Sequence, residues 1–442
     1  MGACVLRLVS HKYVSMSPKT FRAQGPFNVG RRSANPVAIG LLTTIAVGTV
    51  TAEGLRNPPP GTYGLGRSGA RAAHVEDATA VTHNPANLTG LKGLDASASL
   101  MAVRIGVEYE GAGGTAHTVD PWKYLPAFYA AAPLKDDRFV VGLGLHSPFG
   151  LSNEWDQNGA FRYTAAWFTE LKTINLNPTF AWKISEQLSL GVGLDVMWSE
   201  LSLKQLYPWA LITSNAAAPD GELSAQGDGL GVGGNLGLTW QIADRHRLAA
   251  VYRSQTTVDY DGEFEVSNFP AGFPVGAPES SFGSSITFPD IVTLGYGFQV
   301  NDRVRVGADI EWLQFSNFQS LPINVGAPPP LLPSSINQDW DDTFTFGVGG
   351  DWRINDQFTL RASYQYYMTP IPDETLSPTI PDSDQNVVTT SLEYAWGRSR
   401  VELAYGLVLY NDRDITTNQN PAFNGHYEFS VHLISAGYRF SF

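Results

Sequence analysis

Apolar and polar residues alternate along several segments of this 442-residue chain. From 188 to 198 every second residue, beginning with Leu188, is apolar, whereas the residues between are mostly small or polar, with Asp195 among them. Segments 304–312 and 358–366 repeat the pattern. Because neighbouring side chains of a β-strand point to opposite faces, this alternation predicts strands with one apolar and one polar face. Their length, about nine to eleven residues, is typical of membrane-crossing strands.

A short motif recurs at nearly constant spacing along the chain. Each copy consists of an aromatic residue, a tight polar turn and a new strand, and the copies begin at Trp182, Trp240, Phe298 and Trp352, which are 58, 58 and 54 residues apart. Repeats of this length also occur in propellers and solenoids. The alternating strands favour barrel hairpins instead, with these aromatic residues and Trp396 forming a girdle at one membrane interface.

Turn signals divide the chain into strands joined alternately by short and long connections. Six short polar turns between seven long-looped hairpins predict 14 strands, an even number as expected for outer-membrane barrels. The predicted strands begin at Leu94, Lys123, Arg138, Leu171, Leu188, Gly227, His246, Phe288, Arg303, Thr343, Phe358, Asn386, Arg400 and His426. The sequence therefore predicts an all-β protein, a transmembrane antiparallel β-barrel of about 14 strands over residues 93–442.

The last predicted strand is aromatic at alternate positions up to its end, at Tyr438, Phe440 and Phe442. A terminal phenylalanine in this setting resembles the signal read by the outer-membrane insertion machinery. We therefore expect a multi-pass barrel in the outer membrane of a Gram-negative-type bacterium. Its expected partners include that machinery, outer-membrane lipid and lipopolysaccharide.

The first 52 residues are predicted to be a signal peptide. Arg31 and Arg32 precede an apolar run at 37–50, and small residues follow at 50–52. This part contains the only cysteine, Cys4, together with six basic and no acidic residues. The remainder therefore carries 23 basic and 42 acidic residues, a net charge of −19, which argues against nucleic acid as a partner.

Residues 53–92 separate the predicted signal from the first strand, are rich in small residues and show no strand alternation. A segment of this length can extend into the periplasm or fold into the barrel. An open 14-strand barrel would enclose a substantial aqueous lumen. Whether this segment fills the lumen therefore separates a plugged, selective conduit from an open pore.

The same segment resembles the N-terminal hatch of the FadL-type outer-membrane transporters. The matching residues are Gly64, Gly66, Arg67, Asn84, Pro85 and Ala86. Further similar segments lie, in the family's order, at 147–151, 161–163, 173–178, 252–254, 288–290 and 380–382. The resemblance implies passive uptake of hydrophobic small molecules, either long-chain fatty acids or aromatic hydrocarbons, through a barrel whose residues 53–92 form a hatch, or plug.

The resemblance also implies a route for substrate. The substrate is captured in an extracellular groove and leaves through a gap in the wall where the third strand kinks inward. Gly142, Gly144 and Pro148 match the kink, since glycine and proline weaken strand ladders, although the glycines can equally ease packing against the hatch. Residues 84–86 are expected to form a turn rather than to contact ligand.

Capture is expected in the two longest loops, predicted at 201–226 and 266–288. Their apolar residues are Leu206, Tyr207, Trp209, Leu211, Ile212, Phe269 and Phe273. Contiguous apolar residues on an external loop form either an interaction site or the loop's own packed core, and the sequence leaves both open.

Candidate chemistry is sparse. Residues 64–69 match a dinucleotide fingerprint, but they lack the strand–turn–helix context that it requires, and no nucleophile or metal motif is present. We therefore expect no cofactor, no metal and no enzyme activity. Arg247, Arg253, Arg305 and Arg361 point inward by alternation, and they pair either with inward acids or with a substrate carboxylate. A non-selective porin and, less favoured, an outer-membrane lipid hydrolase are the alternative functions.

Overall fold

Fourteen antiparallel strands form a closed barrel in the computed structural model, which describes residues 54–119, 121–135 and 137–442. β1 (Asp95–Gly111) pairs with β14 (Gly425–Ser441), and this pairing closes the barrel. The strands between them are β2 (Trp122–Pro133), β3 (Phe139–His146 and Leu151–Glu154), β4 (Phe168–Lys183), β5 (Leu188–Tyr207), β6 (Gly221–Ala243), β7 (His246–Arg253 and Thr256–Val266), β8 (Glu279–Phe288 and Ile291–Asn301), β9 (Val304–Leu313), β10 (Thr343–Arg353), β11 (Phe358–Tyr367), β12 (Gln385–Trp396) and β13 (Ser399–Tyr410). The predicted fold class is confirmed. The predicted signal peptide lies outside the described residues.

Short elements supplement the barrel. The described α-helices are Thr62–Gly66, Ala80–His83 and Trp209–Ile212, and the 3-10 helices are Pro85–Gly90, Phe315–Asn317 and Pro421–Phe423. Short strands lie at Gly114–His117, Ser320–Pro322, Asn324–Val325, Ser335–Asn337 and Arg413–Ile415. Within the described ranges, no helix has the length and apolar character needed to cross a membrane.

The outer surface carries apolar side chains at alternate positions, as the sequence predicts. On β5, Val192 and Leu194 are each 48% exposed, whereas Asp195 on the opposite face is 4% exposed. The aromatic residues beside the short turns also face outward, with Trp240 and Trp352 exposed by 47% and 50%. An apolar band that ends in outward aromatic residues is the surface expected of a barrel in contact with lipid.

The strands on the long-loop side reach further than the sequence analysis predicts. β5 and β6 leave only 208–220 between them, and β7 and β8 leave only 267–278. The predicted loop bounds, 201–226 and 266–288, are therefore wrong. The prediction failed because outward positions such as Gln226 are polar above the lipid, although the alternation of inward and outward residues continues there.

Candidate functional site

Residues 54–92 pack against inward-facing positions of strands around the barrel. The helix Thr62–Gly66 contacts β12, β13 and β14, and the 3-10 helix Pro85–Gly90 contacts β4, β5 and β6. Glycines allow this close approach, since a Cβ on Gly191 would lie 2.7 Å from the Cβ of Pro85. The small residues of the segment therefore match small residues on the wall.

The Asn84-Pro85-Ala86 turn is tied to both the segment and the wall. The Asn84 side-chain oxygen accepts a hydrogen bond from the Ala86 N–H at 3.1 Å, which caps the 3-10 helix, and proline suits its first position. The Asn84 Nδ2 donates to the Ala72 carbonyl and to the Thr239 hydroxyl on β6, each at 2.9 Å. These contacts place Asn84 in a structural turn, in line with the turn interpretation.

The Gly64, Gly66 and Arg67 positions lie in the same buried region. A Cβ on Gly64 would lie 2.7 Å from the His83 ring, and one on Gly66 would lie 2.7 Å from the Cβ of Ser391 and closer still to its hydroxyl. Only glycine fits such spaces without displacing its neighbours.

Arg67 belongs to an ionic cluster that joins the segment to β10. It is fully buried, and its Nη1 lies 2.6 Å from an Asp351 carboxylate oxygen. Arg305 and Arg361 also approach Asp351, at 2.9 and 3.4 Å. Arg305 extends the cluster to Glu76 of the segment at 2.7 Å. Buried charges require such partners, because an unpaired charge in this environment is costly.

A second cluster joins the segment to β9. Arg71 and Arg56 lie 2.7 and 3.0 Å from opposite oxygens of Glu311. The Asp309 carboxylate accepts hydrogen bonds from the backbone N–H groups of Arg71 and Ala72, at 2.6 and 3.0 Å. The two clusters together fix the segment between residues 56 and 76 to neighbouring strands.

The inward arginines predicted from the alternation all have carboxylate partners. Arg247 lies 3.4 Å from Glu76, and Arg253 contacts Asp195 at 2.5 Å. Arg305 and Arg361 pair within the first cluster, and Arg361 also contacts Glu402 at 2.6 Å. The pairing with inward acids is the alternative that the contacts favour over a carboxylate of a bound substrate.

Neighbouring charges and burial keep Glu76 of the segment charged and His74 neutral. Desolvation raises the pKa of Glu76, but Arg305 and Arg247 outweigh it and hold that pKa below its usual value. Burial, aided by the positive charge of Arg305, lowers the pKa of His74 to about 3. At neutral pH, Glu76 therefore balances the surrounding arginines, and His74 adds no charge.

The third strand is interrupted where residues 147–150 turn into the barrel. The Asn57 N–H donates to the Pro148 carbonyl at 3.0 Å, and the Gly150 N–H donates to the Leu55 carbonyl at 2.8 Å. The Asn57 side chain adds a bond to the Ser147 carbonyl at 3.1 Å. This part of β3 therefore pairs with the N-terminal segment instead of with its neighbouring strand.

The inward turn shortens the ladder between β2 and β3. The ladder joins residues 128–133 of β2 to residues 140–145 of β3 and stops below the interruption. Of the three kink candidates, Pro148 lies within the interruption. Gly142 and Gly144 lie below it in the paired ladder, and a Cβ on either would lie 2.7 to 3.0 Å from Val81. Of the two interpretations that the sequence leaves open for these glycines, close packing against the N-terminal segment fits these distances, and their part in a lateral exit stays a prediction.

A groove of about 440 Å³ opens at the long-loop end of the barrel. Its apolar lining includes Leu203, Leu223, Phe264, Ile323, Leu332 and Ile336. Lys204 is the only lysine or arginine in the lining contributed by described residues, and its ammonium lies 5.9 Å from the rings of Trp167 and Phe168. Polar residues such as Gln205, Glu374 and Asn418 share the lining. The groove therefore combines an apolar wall that suits hydrocarbon with polar groups that suit a head group.

None of the predicted capture residues belongs to the lining of this groove. Trp209 is fully buried, and it packs against Tyr207, Phe269 and Phe273 with ring centroids 4.8 to 5.3 Å apart. Leu206 and Ile212 are partly buried, whereas Leu211 is 78% exposed. The aromatic members therefore form a packed loop core. The sequence does not single out the groove residues on β5, β6 and the 323–336 connection, because polar residues surround them there.

Below the groove, the lumen is packed with apolar side chains. Phe149 of the inward turn stacks on Phe288 of β8, with ring centroids 4.6 Å apart. A cavity of about 70 Å³ lies beside Pro148 and Phe149 and is also lined by His83. At the opposite end, a cavity of about 530 Å³ is lined mainly by charged residues, among them Arg305. In the described residues, no group of His, Cys, Asp or Glu side chains is placed to hold a metal ion.

A closed barrel with an apolar outer face and a packed lumen defines the chain as a multi-pass outer-membrane β-barrel protein. The family model described as outer membrane protein transport protein (OMPP1/FadL/TodX) matches residues 43–442. The chain belongs to this family, whose members are transporters of hydrophobic compounds.

Similar proteins agree with this assignment. The long-chain fatty acid transport protein of Escherichia coli O6:H1 is 25% identical over 401 residues, which cover 83% of this chain and 87% of the relative. Outer membrane protein P1 of Haemophilus influenzae is 22% identical over 456 residues, covering 90% and 97%.

Solved structures share the fold. A FadL homologue from Pseudomonas aeruginosa superimposes with a TM-score of 0.76 at 22% identity, covering 88% of this chain and 100% of the homologue. The toluene transporter TodX from Pseudomonas putida gives a TM-score of 0.69 at 21% identity, covering 88% and 100%. These likenesses extend the family's barrel fold to this chain.

Proposed function

We propose that this protein takes up hydrophobic small molecules, long-chain fatty acids or aromatic hydrocarbons, by passive diffusion through a plugged barrel with a lateral exit. The observation that carries the proposal is the inward turn of β3. It occurs where the N-terminal segment fills the lumen, so a substrate that enters from outside has a path through the wall. Named relatives that transport long-chain fatty acid and toluene support the substrate class.

Capture is assigned to the apolar groove at the long-loop end. The apolar part of its lining can bury the hydrocarbon of a chain or of a ring. Lys204 at its edge adds a cation for a carboxylate head group where the substrate has one. The inward arginines are not part of this step, because they already form ion pairs with carboxylates of the barrel and of the N-terminal segment.

Passage past the N-terminal segment is assigned to the β3 interruption. Residues 54–92 act as the hatch and exclude polar solutes, since their ionic clusters anchor them to β9 and β10. Hydrophobic substrate leaves between β2 and β3, where a lipid-soluble molecule gains free energy by partitioning into the membrane. No energy source is required, because transport follows the concentration gradient.

Polar substitutions in the groove are expected to weaken uptake. Replacing Leu332 and Ile336 with serine removes apolar contact worth about 1 kcal/mol for each side chain, so uptake at limiting substrate should fall about tenfold or more. The measurement is initial uptake of oleate and of toluene by cells that express each variant. Leu211→Ser is the matched control, since this exposed leucine lies outside the groove lining. Equal uptake by the groove variant and the control, at equal surface expression, would contradict the assignment.

Restoring a continuous third strand is expected to block exit. The changes Ser147→Thr, Pro148→Val, Phe149→Thr and Gly150→Val supply strand-forming residues and return the backbone donor that proline lacks. Uptake should fall to the level of cells without the protein, whereas binding of substrate to the purified barrel should persist. The control carries the same Thr-Val-Thr-Val sequence at residues 215–218, in an external loop. Full uptake by a correctly folded β3 variant would overturn the lateral exit.

A further inference from the structure

The barrel wall has a second break, between β6 and β7. β7 supplies ladder partners to β6 at residues 223–228 and again from Asn235 onward. Within the part of the chain that the structure describes, it supplies none at residues 229–234. Over these residues β7 leaves the ladder and packs on the inner face of β6 before the ladder resumes above. The outward-facing notch that results, called the slit below, is about six residues long, or roughly 20 Å.

The slit arises because the β7–β8 hairpin bends at one level. Each strand is interrupted by two residues, Ser254 and Gln255 on β7 and Pro289 and Asp290 on β8. Even-numbered residues point inward above the interruption and odd-numbered residues below it. One Asp290 carboxylate oxygen stabilises the bend by accepting bonds from the Gln255 N–H at 3.0 Å and from the Tyr252 hydroxyl at 2.6 Å.

Above the bend, β7 lies across the inner face of β6. A Cβ on Gly229 would lie 2.9 Å from Val258, and one on Gly231 would lie 2.8 Å from the Thr257 carbonyl. These glycines permit the close approach, and their alternate spacing along β6 keeps all of them on the inward face. The slit is thereby closed toward the lumen and open toward the membrane.

The slit lies at the outer membrane interface. Leu230 and Val232 line it and are 68% and 65% exposed, more than the other outward leucines and valines of the described barrel strands. Ten residues separate Leu230 from the girdle residue Trp240, which corresponds to about 25 Å of membrane thickness for a tilted strand. Trp198, the partner of Leu230 on β5, bonds Asp228 at 3.2 Å and marks the polar boundary.

The backbone of β6 presents polar groups to the slit. The Gly234 N–H and carbonyl both pair with Ser254, at 2.9 and 2.8 Å, so Gly234 directs its polar groups toward β7. Alternate residues of a strand share this direction, and Val232 and Leu230 therefore do the same. Their donors and acceptors have no β7 ladder partner in the described residues. A strand edge outside its ladder favours a polar occupant in lipid, because a backbone group that lacks a hydrogen bond there costs several kcal/mol.

The opposite side of the slit is polar and acidic. Gln255, Thr257 and Asp259 are exposed there, and Asp228 lies on β6 just above. These carboxylates disfavour an anionic head group, whereas hydroxyl and amide groups can bond both the carboxylates and the backbone edge. Leu230 and Val232 would contact the attached hydrocarbon.

We propose that this slit binds an outer-leaflet amphiphile whose acyl chain is joined through an uncharged amide- and hydroxyl-bearing linkage. The acyl chain lies along Leu230 and Val232. The amide and hydroxyl groups take the place of the missing β7 ladder partners, and the carboxylates nearby exclude an anionic head. The slit is separate from the β3 interruption, and its occupancy does not depend on transport.

The test uses a single cysteine on the slit wall. In a Cys4→Ser background, Val232→Cys and the control Val348→Cys, an outward position on β10 that is 53% exposed, each carry a dansyl label. The barrels are placed in phosphatidylcholine nanodiscs that contain either an N-acylglucosamine or a stearate, each with a nitroxide on its chain. Quenching by the N-acylglucosamine should be at least about threefold stronger at position 232 than at 348, and the stearate should show no such excess.

A second variant separates binding in the slit from general lipid contact. Leu230→Trp fills the slit from its apolar side, so the excess quenching at position 232 should disappear while quenching at 348 stays unchanged. Equal quenching at the two positions would overturn the proposal and indicate a slit occupied by water or bulk lipid. Stronger quenching by the stearate would overturn the assignment of an uncharged head group. None of these readouts changes if the uptake assays fail.

Discussion

Deleting residues 54–91 is expected to raise the single-channel conductance of the barrel at least about tenfold, because a 14-strand barrel without a filled lumen is a wide aqueous pore. The intact chain should conduct little, since this segment occupies the space between β4, β6, β10 and β13. The measurement is conductance of purified protein in planar bilayers. It should be accompanied by flux of a small sugar into vesicles.

The matched control removes residues 215–218 from an external loop, which leaves the lumen unchanged. Its conductance should equal that of the intact chain. If the deletion variant and the intact barrel are both correctly folded and conduct equally, the lumen of the intact barrel is already open. That result would favour the non-selective porin over the plugged conduit.

Replacing Arg67 with methionine is expected to release the hatch in part. Arg67 is fully buried and lies 2.6 Å from Asp351, and removal of one partner from a buried pair costs about 3 to 5 kcal/mol. Arg305 and Arg361 remain beside Asp351, which places the expected loss at the lower end of that range. The population of the displaced hatch should then rise by about a hundredfold or more, measured as open-channel events and as protease cleavage within residues 54–92.

Two further variants make this result specific. In the double variant, Asp351→Asn also removes the carboxylate that loses its Arg67 partner in Arg67→Met. The double variant should therefore recover part of the stability lost in Arg67→Met. Arg162→Met breaks an ion pair with Asp220 at 2.8 Å in which both side chains are about one-third exposed, so it should change the open-channel frequency little. Equal effects of Arg67→Met and Arg162→Met would contradict the anchoring role of the buried cluster.

The strands were predictable because the lipid imposes a simple rule on them. Every outward position between the interfaces must be apolar, and Leu188 to Trp198 follow this rule without exception. Above the lipid the rule no longer applies, so the sequence does not indicate where β5 and β6 end on the long-loop side. The inward direction of Arg247, Arg253, Arg305 and Arg361 follows from the same alternation.

Contacts between the N-terminal segment and the wall were not predictable in the same way. The alternation predicts several inward acids that could pair with Arg67, and only the folded structure shows that its partner is Asp351. Gly142 and Gly144 illustrate a second difficulty, since a glycine that bends a strand and one that accommodates a neighbour look alike in a sequence. Proline is ambiguous as well, since Pro148 and Pro289 each mark a strand interruption, whereas Pro126 and Pro178 lie inside continuous strands.

Trp209 shows a third difficulty. A tryptophan in an external loop suggests a surface for ligand, but its ring is fully buried among Tyr207, Phe269 and Phe273. Sequence alone does not indicate whether aromatic residues in two adjacent loops contact each other or a ligand. The groove on β5 and β6 was hidden for the opposite reason, because Leu203 and Leu223 alternate with polar residues in segments predicted as loops.

Selective passage is tested most directly by comparing hydrophobic and polar solutes on the same barrel. Cells that lack their own FadL-type transporter are supplied with this chain, and uptake of oleate and toluene at limiting concentration is measured beside influx of arabinose. We expect a several-fold increase in uptake of at least one hydrophobic solute, with arabinose influx unchanged. An increase in arabinose influx without faster uptake of either hydrophobic solute would contradict this expectation.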